Sequence, residues 1–190
     1  MAVGGSSSPW TKSAVRCWFS ASHRGGRPIE AFSRGADMAR ISTSIAIKAP
    51  REAVWEVLND LHRNPDWVTN VQGVLSVSEG PVGIDTVFRE RIRLFGPFHA
   101  EGEWRITRCE PPSVHEHRGM MPIIGPATVT YSLQGENGGC RCVAEVSCGQ
   151  GRGPLYRALD ALFIKPGLAL SFRRNLCNLK RLVEAGPPNG

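Results

Sequence analysis

The chain has 190 residues, of which 41% are hydrophobic, and it carries a formal charge of +6 with a pI near 9.3. This length suits one domain with a sizeable core, and the hydrophobic fraction excludes a chain that is disordered throughout. No apolar run approaches the roughly 18–20 residues of a membrane span, so a soluble protein is expected. The charge argues against nucleic-acid binding, because residues 1–37 alone carry half of the excess.

Residues 1–38 are predicted to form a disordered leader. They are rich in Ser, Gly and Arg, contain no acid before Glu30, and show no sustained apolar period. The same composition is typical of an organellar targeting peptide, and a third interpretation takes Met38 as the biological start. Met1–Ser8 is small and polar, unlike a secretory signal. The expected location is therefore the cytoplasm, or an organelle if the leader is a targeting peptide.

A domain is predicted over residues 39–185, followed by a flexible tail at 186–190. Residues 41–48 alternate apolar and polar side chains, which predicts a strand. Ala49-Pro50 then opens a helix with proline at its first position, and Asn64-Pro65 interrupts that helix, which divides it into two short ones.

Six short strands follow, separated by turns rich in Gly and Pro. Their predicted ranges are 71–78, 86–94, 98–108, 114–118, 127–133 and 141–147. The glycine-rich stretch Gly149–Gly153 is interpreted as a flexible joint before a final helix at 153–184, with Pro166 as a kink. A run of hairpins closed by one long helix is an α+β arrangement.

The stretch from Thr86 to Thr107 predicts its own hairpin register. A turn at 95–97 places Leu94 opposite Phe98, and outward from there the pairs are 92 with 100, 90 with 102 and 88 with 104. This face is apolar except at position 90, whereas the opposite face pairs arginines with glutamates twice. A slip by one residue would scatter both patterns, so the apolar face is expected to face inward.

Glu90 is therefore the main candidate for a binding residue. It lies among Phe88, Ile92 and Trp104 and opposite Gly102, which is expected to leave room for a ligand. An isolated buried carboxylate is costly and should have a raised pKa. The alternatives are that Glu90 lies near a strand end and reaches solvent, or that the inward face is partly wet.

Other candidates have weaker support. His115 and His117 point the same way, and we interpret them as partly exposed histidines at a sheet edge, since two histidines make a poor metal site. The further candidate lining residues are His117, Tyr131 and Trp67.

The six cysteines form no metal framework, and no metal site is expected. They lie at positions 17, 109, 140, 142, 148 and 177. Cys140, Cys142 and Cys148 are interpreted as small apolar residues on one strand face, in a reduced state. A phosphate loop, a dinucleotide fingerprint and a nucleophile elbow are all missing from the sequence, so no cofactor is expected.

Four stretches in the right order resemble the SRPBCC superfamily, which includes START-related lipid-transfer domains, Bet v 1-like proteins and polyketide cyclases. They are the strand and helix start at 45–55, the corner from Asp60 to Trp67, the glycine turn at 80–88 and the closing helix ending at 184. The resemblance covers about residues 39–185. It implies a helix-grip fold, in which a seven-stranded curved antiparallel sheet wraps around the last helix and encloses a cavity. It supplies no catalytic residues.

Three functions are compatible with these observations. The leading hypothesis is binding or carriage of a small hydrophobic molecule in the cavity. The alternative is a cyclase or dehydratase acting on a polyketide-like or aromatic substrate, with Glu90 or a histidine as acid–base. A third is an interaction protein whose partner docks on the basic surface of the last helix. The oligomeric state does not follow from the sequence.

Overall fold

The computed structural model describes residues 39–121, 125–148, 162 and 165–186, all within the compact unit Asp37–Gly190. The predictions for the leader, for the joint at 149–153, for the first part of the final helix and for most of the tail lie outside the described residues.

Seven antiparallel strands form one sheet in the order β1-β7-β6-β5-β4-β3-β2. Their bounds are β1 Ala39–Ile47, β2 Val71–Val77, β3 Val87–Phe95, β4 Phe98–Glu110, β5 Val114–Met121, β6 Gly125–Glu136 and β7 Gly139–Cys148. The helices are α1 Arg51–Asn59, a 3-10 turn Leu61–Arg63, α2 Asn64–Trp67 and α3 Lys165–Glu184. The long helix α3 packs on β1, β7 and the two short helices, which confirms the helix-grip prediction.

Buried and more exposed side chains alternate along β6 and β7, and the buried ones form the core face of these strands. The buried residues of these strands are Ala127, Val129, Tyr131, Leu133, Cys140, Cys142, Ala144, Val146 and Cys148. Because strand side chains alternate between faces, one inward set per strand forms a continuous apolar layer under α3. The three cysteines of β7 are confirmed as small buried members of this layer.

The β3–β4 hairpin has the predicted register along nearly all of its length. Phe88 pairs with Trp104, Glu90 with Gly102, and the outward positions 89, 91 and 93 pair with 103, 101 and 99. Only the tip is different, since Phe95 rather than Leu94 pairs with Phe98. Gly96 adopts a φ of 51°, which allows a two-residue turn and leaves Leu94 at an irregularity in the ladder.

Both prolines near the first helices lie at helix starts. Pro50 is the N-cap of α1 rather than its first helical residue. Asn64-Pro65 begins α2 instead of simply breaking a helix, because a proline in the first turn loses no helical hydrogen bond.

A polar contact joins the end of α2 to the long helix. The buried Asn175 side chain accepts hydrogen bonds from the Thr69 amide at 2.9 Å and from the Thr69 hydroxyl at 2.7 Å. One turn further, the Asn178 amide donates to the Trp67 carbonyl at 3.2 Å. We call these three bonds the asparagine clasp.

Within the described part of the chain, no helix has the length and apolar character needed to cross a membrane.

Candidate functional site

A cavity of about 100 Å³ lies between the inner face of β3–β6, the two short helices and α3. Seven of the eight residues proposed from the sequence line it, namely Trp67, Phe88, Glu90, Ile92, Trp104, His117 and Tyr131. Lining residues that sequence reasoning did not propose include Asn64, His115, Leu168, Phe172 and Asn175.

Aromatic rings form much of the wall. His117 is at their centre, with its ring centroid 5.0 Å from Trp104 and 5.6 Å from Phe88, both nearly perpendicular. Tyr131 meets Trp67 edge to face at 5.6 Å. Such edge contacts hold each ring in a defined orientation, and the wall offers flat apolar surface to a ligand.

The interpretation of His115 and His117 as edge residues is wrong. Their strand, β5, is the middle strand of the sheet, between β4 and β6, and His115 is only 2% exposed. Burial lowers the pKa of His115 to about 4. Burial and the proximity of His115 lower the pKa of His117 to about 3. Both rings are therefore neutral at neutral pH.

Several polar nitrogens at the cavity are buried without a hydrogen-bond partner among the described residues. They are Nε1 of Trp67, Nε1 of Trp104, both ring nitrogens of His115 and Nδ1 of His117. Buried polar atoms in folded proteins are nearly always satisfied, so this concentration at one cavity is informative.

Glu90 is buried, at 5% exposure, so the alternative that it reaches solvent is wrong. Its Oε1 accepts a hydrogen bond of 2.7 Å from the Asn64 side-chain amide. Desolvation raises the pKa of Glu90 to about 7, while the Asn64 amide and the nearby Trp104 indole oppose the rise. The indole lies close to the carboxylate without reaching hydrogen-bond geometry.

Asn64 is the partner that sequence reasoning missed. It lies 26 residues before Glu90, at the start of α2, and it is 7% exposed. The sequence did contain one hint of this role, because Asn64 is an amide residue directly before Pro65. It belongs to the stretch from Asp60 to Trp67 that resembles the SRPBCC superfamily. Nothing in the sequence links that corner to β3.

Gly102 does not leave room for a ligand, contrary to expectation. A Cβ at this position would stand 2.7 Å from Cδ1 of Ile92 and 3.2 Å from Nε1 of Trp104. The glycine instead accommodates these two side chains. Gly119 on β5 has the same role, since its Cβ would lie 2.6 Å from the Trp104 ring. Two glycines thus position the indole at the cavity wall.

The cavity combines an apolar wall with a few groups that are able to exchange a proton or donate a hydrogen bond. Glu90 provides a carboxyl group that is partly protonated at neutral pH, and the indoles provide N–H donors. Within the described ranges, no three side chains of metal-ligating type are grouped together.

A second concavity, open and about 420 Å³ in volume, follows the outer face of α3. Its lining includes Leu170, Arg173, Arg174 and Arg181. This is the basic surface expected from the sequence of the last helix, and it is separate from the internal cavity.

Comparison with known families gives a match over residues 38–184 to the family described as polyketide cyclase / dehydrase and lipid transport. A comparison with curated proteins finds no significant sequence match. This family and its structural neighbours fit the SRPBCC resemblance.

Solved structures with the same fold include the di-domain aromatase/cyclase BexL from the BE-7585A biosynthetic pathway, at 18% identity and a TM-score of 0.64 over 79% of this chain. The chain spans about half of BexL, 51% of its length. The Zhui aromatase/cyclase from Streptomyces sp. R1128 is 17% identical, with a TM-score of 0.63 over 77% of this chain and 94% of that one. Ara h 8.0201 is 12% identical, with a TM-score of 0.60 over 78% and 99%. At these identities the likeness shows the fold alone.

Proposed function

Since the chain belongs to the polyketide cyclase/dehydrase and lipid transport family, we propose that it binds and carries a small hydrophobic ligand in the cavity under α3. One observation carries this proposal. The Glu90 carboxyl group, 5% exposed, lies in an aromatic wall that also contains indole N–H groups with no hydrogen-bond partner in the described part of the chain. A mostly apolar cavity with a few convergent polar groups is the usual form of a small-molecule site.

The size of the cavity favours a compact ligand. Its volume of about 100 Å³ is below the roughly 300–1,000 Å³ of pockets for drug-sized molecules. A single ring or a short chain suits this space, with its apolar surface against Phe88, Trp104 and Phe172. Its polar group would meet Glu90.

The second candidate is a cyclase or dehydratase that acts on a polyketide-like or aromatic substrate. It is favoured by the pKa of about 7 at Glu90, because a carboxyl group with that pKa both donates and accepts protons at neutral pH. His115 and His117 line the same wall as neutral rings, and each has a ring nitrogen that can accept a hydrogen bond from a substrate. The two aromatase/cyclase neighbours have the fold that this reaction would use.

Native mass spectrometry of the gently purified chain tests the first proposal, with the expected result of a bound small molecule that denaturation releases. Quenching of tryptophan fluorescence by added ligand should report its affinity, since Trp67 and Trp104 line the cavity. Glu90→Gln should alter that affinity, whereas the matched control Glu103→Gln, exposed on the other face of the hairpin, should not. Failure of every small apolar probe to bind would refute the proposal.

Turnover distinguishes the two candidates. If Glu90→Gln abolishes conversion of a compound that it still binds, the cavity is catalytic. If the wild-type chain returns its ligand unchanged, carriage is the function.

A further inference from the structure

We infer that the ligand presents an uncharged hydroxyl group to the Glu90–Trp104 side of the cavity, and that the site discriminates against carboxylate and phosphate head groups. This inference rests on the proposed function and adds to it the chemical class of the ligand. It depends on which charges and which hydrogen-bonding groups face the cavity.

None of the described lining residues is a cation. Glu90 on β3 is the one carboxylate, and His115 and His117 on β5 are neutral at neutral pH. Burial raises the pKa of Tyr131 on β6, so its phenol also stays uncharged. The lining residues of α3, namely Leu168, Ser171, Phe172 and Asn175, carry no charge. An anionic head group would therefore enter a desolvated site beside a second negative charge, without a counter-ion.

The hydrogen-bonding groups suit a hydroxyl. Trp104, 6% exposed, has a buried indole N–H that lies close to Glu90 and has no hydrogen-bond partner among the residues that the structure describes. A ligand hydroxyl can accept from this indole through its oxygen and donate its proton to the carboxylate. Both protein groups are then satisfied by one ligand atom, which removes the cost of an unpaired buried donor.

Asn64 sets the role of Glu90 in this arrangement. Its amide donates to Oε1 at 2.7 Å and stabilises the carboxylate as an acceptor. Because a carboxylate accepts several hydrogen bonds, Glu90 keeps acceptor capacity for the ligand.

Discrimination should depend on pH. As the pH falls through the pKa of Glu90, about 7, the protein loses its negative charge and gains a donor. A carboxylate ligand, with a pKa of about 4, stays ionised and can then accept a hydrogen bond from protonated Glu90. Binding of an anionic head group should therefore strengthen as the pH falls through neutrality.

The test uses para-ethylphenol and para-ethylbenzoate, which share a ring and a tail. At about pH 8 the phenol is neutral, because its pKa is close to the value of about 10 for tyrosine, and the benzoate is ionised. Titration calorimetry with the full chain should show the phenol binding at least about tenfold more tightly, equivalent to about 1.4 kcal/mol. Between about pH 8 and pH 6 the benzoate should gain affinity and the phenol should change little.

Glu90→Gln should strengthen benzoate binding at about pH 8 by about tenfold and should remove its pH dependence. The control Glu103→Gln removes the same charge from the outward face and should change neither ligand. Benzoate that binds as tightly as the phenol at high pH, or a preference unchanged in Glu90→Gln, would overturn the inference and leave the proposed function intact. If neither probe binds, the inference fails, whereas the proposed function is decided separately by native mass spectrometry and by the wider set of apolar probes.

Discussion

Replacing Glu90 with Gln should stabilise the protein at high pH. In the folded chain, burial raises the pKa of Glu90 from 4.5 to about 7. At about 1.36 kcal/mol per pKa unit, this difference corresponds to about 3 kcal/mol lost from the free energy of unfolding once the group is fully ionised. Gln keeps the shape and can still accept the hydrogen bond from Asn64, so most of that loss should be recovered.

The sign of the effect follows from proton binding. Between pH 4.5 and about 7 the folded state retains the proton on Glu90 and the unfolded state has lost it. Stability therefore falls as pH rises through this window, and below it the group has no effect. The buried histidines act in the opposite direction, because their lowered pKa values reduce stability as pH falls below 6.5. The wild-type chain and Glu90→Gln both keep these histidines, so the difference in their free energies of unfolding isolates the effect of the Glu90 carboxyl group.

Urea unfolding of the wild-type chain and of Glu90→Gln, measured between about pH 5 and pH 8, tests this prediction. The stability difference should be small at the acid end and should grow to about 3 kcal/mol in favour of the variant at the alkaline end. Glu103→Gln should show no such growth, because Glu103 is exposed on β4. A difference that stays within about 0.5 kcal/mol across the range would refute the argument that Glu90 is desolvated.

Three further predictions concern packing and domain limits. Truncating Phe88 or Trp104 to Ala should cost less than the about 3–5 kcal/mol of a fully packed core site, because both line the cavity; a full core-sized loss at both positions in urea unfolding would argue against a cavity there. Gly119→Ala should cost about 1–3 kcal/mol, since its Cβ would lie 2.2 Å from a β4 carbonyl oxygen, whereas Gly73→Ala on β2 meets nothing within 4 Å and serves as the control. Equal melting temperatures for these two variants would contradict the predicted clash. A chain starting at Met38 should melt within a few degrees of the full chain, and a fall of many degrees would show that the leader packs on the domain.

The hairpin register could be predicted because both of its faces carry a pattern. Arginines at 89 and 91 lie opposite glutamates at 103 and 101, and the inward positions are apolar apart from position 90. The charge pattern of the outward face and the apolar pattern of the inward face are independent, and only one register of the two strands satisfies both. The tip could not be predicted in the same way, since the positive φ of Gly96 allows a shorter turn than the alternation requires.

The surroundings of the site residues could not be predicted, because they depend on the order of the strands in the sheet and on contacts between residues distant in sequence. His115 and His117 have the alternation of any half-buried strand, and only the central place of β5 in the sheet puts both on the cavity wall and buries His115. Asn64 and Glu90 meet through a hydrogen bond between residues 26 positions apart, and a local pattern does not encode that contact. Asn175 left a weak signal, an amide beside Phe172 and Leu176 on the apolar side of an amphipathic helix.

The asparagine clasp connects α3 to the end of α2 through three hydrogen bonds, so the two helices should move together. Thr69 is exposed as a residue, yet its amide and its hydroxyl both donate to the buried Asn175. Separating the two helices breaks these bonds together with the one from Asn178 to Trp67, a residue of the cavity wall. Hydrogen exchange at the Thr69 amide therefore reports how often the asparagine clasp opens, and a ligand that binds only the closed cavity should slow this exchange.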